Sequence, residues 1–323
     1  MVHAVYGSAA MPALLFIRET RDVSLEDLDQ KRVAACFPCT NENAFTNMIG
    51  NDPDSLYALG STDAEHERLI RQAALLAPLT ERFFREAGIS HGQCVLDLGS
   101  GAGDVAILAA RFVGPSGEVV GVERDPRSIA RARSRVAEAG LHNVRFTQSD
   151  ISRLPANKPF DAVVGRFILM YLADPVAVLR SLFLVVRPGG LFAFHEPSCA
   201  PALAVAPQLP LWTTCVSLIR ECLHRSGANL EIGLALYQIF REAGLPGPSM
   251  RMEIPLGNGP DFTRQIYDLL CSLWSRIQQL NLHSENLGDF NTLLERLQAE
   301  VAVSNTVVPF GVALVGACSR RPT

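Results

Sequence analysis

Between Cys94 and Glu196 short apolar runs alternate with helix-patterned segments, and this alternation restricts the fold more than any other feature. "CVLDLG", "EVVGVE", "VRFTQSD", "FDAVVGR" and "LFAFHE" read as five strands. The intervening segments carry helix signals. "DVAILAARFV" is helical in pattern, Asp125 and Pro126 supply an N-cap and a first-turn proline, and Gly140 stops the helix they start. Asp174 and Pro175 cap "VAVLRSLFLVV", and "RPGG" is a turn into the fifth strand. Near-continuously apolar strands separated by helices imply a parallel sheet covered on both faces by right-handed crossovers. The expected fold is therefore α/β, with a doubly wound, mostly parallel sheet that binds ligands at the carboxyl ends of its strands.

The flanks read differently. Residues 1–50 show no sustained periodicity and read as a poorly ordered arm with a short helix near 25–35. Residues 51–90 read as lid helices: Thr62 and Glu65 have capping-box spacing, and a second helix, "LTERFFREAG", follows Pro78. Residues 91–197 form the α/β core. Beyond it, "LEIGLALYQIFREAG" is an amphipathic helix, strands are expected near 248–256 and 307–319, and 198–230 and 261–303 read as helical lid insertions.

Several function classes are disfavoured. A net charge of −4 over 323 residues leaves no basic footprint for nucleic acid. No uninterrupted apolar run approaches the roughly 20 residues that span a bilayer. The apolar stretch "AAMPALLFI" has no Lys or Arg before it and does not read as a secretory signal, so a cytoplasmic setting is expected. Of the eight cysteines only Cys36 and Cys39 form a CxxC pair, and Cys215, Cys222 and His224 match no common zinc spacing. Reduced thiols and no metal are expected.

The first strand ends in "VLDLGSGAGD", with Gly99, Gly101 and Gly103 at alternate positions after Asp97. Such a turn lets backbone approach a ligand and opens a helix whose N-terminus favours negative charge. A dinucleotide fingerprint is G-x-G-x-x-G, and here the third glycine comes one residue early. The segment resembles the first motif of the class I S-adenosylmethionine-dependent methyltransferases. Four further segments match that family in order: "VVGVERDP", "FTQSDI", "FDAVVGRFILMYL" and "RPGG". The resemblance implies a seven-stranded Rossmann-like sheet and S-adenosylmethionine as cofactor, with S-adenosylhomocysteine as product.

It also implies roles. Gly99, Ser100, Gly101 and Gly103 would let the amino-acid part of the cofactor lie on the backbone, with Asp97 orienting the turn or meeting the ammonium. Glu123, with Arg124 beside it, would accept hydrogen bonds from two ribose hydroxyls. Asp150 and the Ile151 amide would hold adenine, Arg166 and Phe167 would flank the transfer site, and Tyr57 would close over the cofactor. At the end of the fifth strand His195, beside Glu196, is expected to face the cleft, where an imidazole could serve as base for a hydroxyl acceptor.

"FPCTNEN" precedes the glycine turn and "GRFI" replaces an Asn/Asp-Pro-Pro-aromatic signature, which argues against DNA methylation. No cysteine cluster matches an arsenite-methylating pattern. Trp212, Tyr267 and Trp274 lie in the lid segments "PLWTTCVSLI" and "IYDLLCSLW", a composition suited to an apolar acceptor. The reading is methyl transfer to a small, partly apolar metabolite, at oxygen rather than nitrogen or carbon. An NAD-dependent oxidoreductase and a cofactor-binding protein without methyl transfer stand as alternatives. No nucleic acid or membrane partner is expected, and leucine-rich lid helices could pair two chains.

Overall fold

The computed structural model describes residues 59, 62–151, 154, 159–206 and 208–323. Tyr57, the helix expected near 25–35 and the Cys36/Cys39 pair lie outside them.

Seven strands form one sheet: β1 (Cys94–Leu98), β2 (Glu118–Glu123), β3 (Val144–Gln148), β4 (Phe160–Arg166), β5 (Val186–Ser198), β6 (Ser249–Glu253) and β9 (Ala313–Arg320). Their order is β3-β2-β1-β4-β5-β9-β6. β1 to β5 pair in parallel, and β9 runs antiparallel to both β5 and β6. The chain leaves β1 towards β2 and β3 on one side and reaches β4 and β5 on the other. The switch in strand order therefore falls at the carboxyl end of β1, where the glycine turn sits.

Side chains alternate between two cores. Leu96, Leu98, Phe192 and Phe194 pack into one, beneath α6 (Pro210–Arg225), α7 (Ile232–Glu242), α8 (Pro260–Gln279) and α9 (Leu293–Ser304). Val95, Leu191 and Ala193 pack into the other, beneath α2 (Asp104–Val113) and α3 (Pro126–Glu138). The period of two along each strand settles which face every later site residue uses.

Three local expectations are corrected. The two N-terminal helices are one helix, α1 (Asp63–Ala87), with Pro78 inside it. Thr62 accepts from the Glu65 amide, and Gly88 closes the other end in the left-handed conformation. Buried Ala73, Leu76, Thr80, Phe83 and Phe84 carry one apolar stripe past the proline, so burial outweighs the missing hydrogen bond. The helix after Pro175 stops early, as α4 (Pro175–Ser181), because Val186 pairs with Phe160 and opens β5. "RPGG" is thus an irregularity within β5 rather than a turn before it. Finally, the two segments read as single C-terminal strands are each interrupted. A short ladder of β7 (Leu256–Gly257) with β8 (Val308–Pro309) precedes a break at Gly311, whose φ is +110°. α5 (Cys199–Ala204) completes the helices of the cavity side.

Candidate active site

The glycine turn is built by backbone that only glycine adopts without strain. Gly99, Gly101 and Gly103 have φ of 66°, 50° and 85°. A Cβ on Gly99 would lie 2.4 Å from Ile168 Cδ1, whereas one on Gly101 would meet open space. The turn therefore packs against the β4 exit on one side and leaves room for a ligand on the other. Glu123 ties the turn to β2: its carboxylate accepts from the Gly101 amide at 2.9 Å and from the Arg124 and Asp125 amides at 2.8 and 3.0 Å.

A cavity of about 730 Å³ opens at this turn. Gly99, Ser100, Gly101, Glu123, Arg124, Asp150, Ile151, Arg166 and Phe167 all border it. Asp97 lies behind the turn, 1% exposed, and Gly103 starts α2. A further wall carries no signal residue by residue in the sequence. It comes from Val216, Ile219, Arg220 and Leu223 of α6, Gln265, Ile266 and Leu269 of α8, and Phe310 and Val312. Arg68 and Gln72 of α1 close the remaining side. Arg68 is buried and forked onto Glu65, and Gln72 accepts from both Arg68 and Gln265. The Glu65 carboxylate thus holds Arg68 instead of completing a capping box.

Asp97, Arg166 and His195 share the sheet face under α1, because Arg166 and His195 are register partners across β4 and β5. Burial pushes the Asp97 carboxyl well above its usual range, against the attraction of Arg166. One Asp97 oxygen, Oδ2, and the Ser100 hydroxyl are buried without a hydrogen-bond partner. Arg166 donates to Thr80 Oγ1 at 3.1 Å.

His195 is corrected. It does not face the cavity but packs under α1, 1% exposed, with its ring 5.0 Å from that of Phe83. Burial, and then the Arg166 charge, lower its pKa to about 3. The imidazole is neutral and a poor proton acceptor. Period-two alternation could have shown this, since His195 falls on the same face as Leu191 and Ala193. Glu196 points the other way. Its carboxylate accepts from the Ile168, Leu169 and Met170 amides, at 3.0, 2.9 and 3.3 Å, and fixes the cavity wall after β4. Burial raises its pKa to about 7 despite these bonds. Phe167, on this wall, has a left-handed φ of 57°, a strained conformation for an aromatic residue.

The lid aromatics are corrected too. Trp212 is fully buried in the core, and Trp274 and Tyr267 stack on Phe290 at 4.5 and 5.6 Å. None of them borders the cavity, whose apolar lining is mainly aliphatic.

Residues 89–244 match the family model of the "Methyltransferase domain". Over this stretch the chain is similar to methyltransferase domains. The matched stretch includes the glycine turn, Glu123 and α6. Two curated relatives each match about a third of the chain. An arsenite methyltransferase from Halobacterium salinarum is 38% identical over 111 residues, covering 34% of this chain and 28% of that protein. A ubiquinone/menaquinone biosynthesis C-methyltransferase from Coxiella burnetii is 36% identical over 119 residues, covering 35% of this chain and 48% of that protein. These matches span less than half of either relative. A putative methyltransferase from Bacillus halodurans has the same fold, with a TM-score of 0.50 at 17% identity over 75% of this chain and 98% of that one.

The residues of this site fit S-adenosylmethionine. The unpartnered Asp97 oxygen and Ser100 hydroxyl, the open side of Gly101 and the Glu123 carboxylate at the cavity edge answer to the cofactor's ammonium, backbone-hugging chain and ribose hydroxyls. The dinucleotide alternative loses its basis.

Proposed function

We propose that this chain transfers the methyl group of S-adenosylmethionine to a small, partly apolar metabolite, with oxygen as acceptor atom. The observation that carries the reading is one cavity lined both by Gly99, Gly101 and Glu123 and by Val216, Ile219 and Leu269. Cofactor and acceptor would share one space, as in-line displacement requires. When bound, the cofactor supplies the electrophilic methyl group on its sulfonium.

The protein's own contribution is positional. Glu123 would exchange its bond to the Gly101 amide for ribose hydroxyls, and Asp150 with the Ile151 amide would hold adenine. Asp97 would orient the turn and offer its unpartnered oxygen to the ammonium. Arg166 and Phe167 would flank the transfer position, and the aliphatic wall would exclude water. Tyr57 is proposed to close over the cofactor.

Oxygen is favoured by what lines the wall. Its described residues include no histidine, and the carboxylates among them, Asp104, Glu123, Asp125, Asp150 and Asp174, lie at strand ends or at the helix starts and loops that follow them. A carboxylic acid arrives already ionised at neutral pH, whereas an ammonium or a carbon acid must first lose a proton. The relatives named above include a C-methyltransferase, so the acceptor atom is decided by experiment. Radiolabelled S-adenosylmethionine, offered with phenols, carboxylic acids, amines and quinols of similar size, should label the oxygen acids first. Preferential labelling of amines or ring carbons would overturn the oxygen reading. Cofactor binding without transfer to any class would favour a non-methylating protein.

A further inference from the structure

Four arginines border the cavity, and three have evident electrostatic company. Arg68 is forked onto Glu65, Arg166 lies near Asp97 and Asp104, and Arg124 follows Glu123 at the exposed edge. Arg220 differs. It projects from α6 between Ile219 and Leu223, and no described carboxylate lies within ion-pair distance of it. Its Nε is buried without a hydrogen-bond partner. Its contact is the thiol of Cys199, another residue of the cavity wall, and burial raises that thiol's pKa to about 11, so it brings no negative charge. Glu231, which lines a neighbouring pocket with Arg220, is already bonded to the Ser198 hydroxyl and the Ala200 amide.

A guanidinium with no counter-ion among the described residues is costly on an apolar wall, and its attraction for an anion is strengthened by the low dielectric around it. Its planar fork matches a carboxylate or another paired-oxygen group. Resting on the methyltransferase reading above, we propose that Arg220 selects the acceptor: an apolar small molecule bearing one anionic oxygen group, held by the Arg220 guanidinium on the α6 wall of the cavity. Val216, Ile219 and Leu269 would receive its apolar body. A site built for a charged group discriminates sharply against the neutral analogue, which leaves the cation unpaired.

The test uses 2-naphthoate and its neutral methyl ester as probes, titrated into the full chain at neutral pH with saturating S-adenosylhomocysteine. Wild type should bind the carboxylate about tenfold or more tightly than the ester, the scale of a charge-assisted bidentate pair. Arg220→Met and Arg220→Gln should each bring the ratio close to one while leaving S-adenosylhomocysteine affinity in place, which also reports that the variants fold. No preference in wild type, or a preference that survives both substitutions, overturns the proposal. If wild type binds S-adenosylhomocysteine but shows no preference, only the role of Arg220 falls. If it does not bind S-adenosylhomocysteine, the methyltransferase reading falls with it.

Discussion

Replacing His195 by Asn separates a buried structural imidazole from a catalytic one. The folded pKa is about 3, against an ordinary 6.5. The sign follows from proton binding: between these values the unfolded chain holds the proton and the folded one does not, so stability is fully present above pH 6.5 and is lost as pH falls towards 3. At pH 4.5 the gap is about two units, worth between about 2 and 3 kcal/mol at 1.36 kcal/mol per unit. Asn keeps a polar atom near Thr80 but cannot titrate. Urea denaturation of wild type and His195→Asn at pH 7.5 and 4.5 should therefore show the variant gaining about 2–3 kcal/mol relative to wild type on acidification. An unchanged difference between the two pH values would refute the buried neutral imidazole. Labelled-methyl transfer gives the second readout. Loss of a general base costs about 10²–10⁴-fold, whereas a residue outside the cavity should leave the rate within about tenfold.

Glu196 has the opposite sign. Its folded pKa of about 7 lies above the ordinary 4.5, so the folded state binds the extra proton and stability falls as pH rises from 4.5 to 7, by up to about 3 kcal/mol. Glu196→Gln should remove that fall in denaturation curves measured across the same range. Glu123→Ala should weaken calorimetric binding of S-adenosylmethionine by about 1–3 kcal/mol, the scale of hydrogen bonds to a charged group. Gly99→Ala should lower both the melting temperature and cofactor affinity, because its Cβ meets Ile168 and its φ is positive; a variant with wild-type values for both would contradict the close packing of the turn.

The core was legible because its signals are local. Alternating apolar strands, the Asp125–Pro126 and Asp174–Pro175 starts and the glycine turn each act over a few residues, and together they point to the α/β sheet that forms. The errors lie where distant contacts decide. Pro78 reads as a boundary, yet tertiary burial of Leu76, Thr80 and Phe83 runs the helix through it. "RPGG" reads as a turn, yet the pairing of Val186 with Phe160 draws it into β5. In the site, residues on the βα loops converge because topology brings strand ends together. The lid cannot be read this way: an amphipathic helix shows an apolar stripe but not what the stripe faces. Trp212 and Trp274 turned to the core and to Phe290, while Val216, Ile219 and Arg220 reached the cavity.

The central claim is that the cavity at the glycine turn is a site for S-adenosylmethionine. Calorimetric titration of the full chain with S-adenosylmethionine, S-adenosylhomocysteine and NAD tests it most directly. Saturable one-to-one binding of the first two is expected, with Kd on the order of micromolar, and no binding of NAD. Binding of NAD alone, or of none of the three, would contradict it.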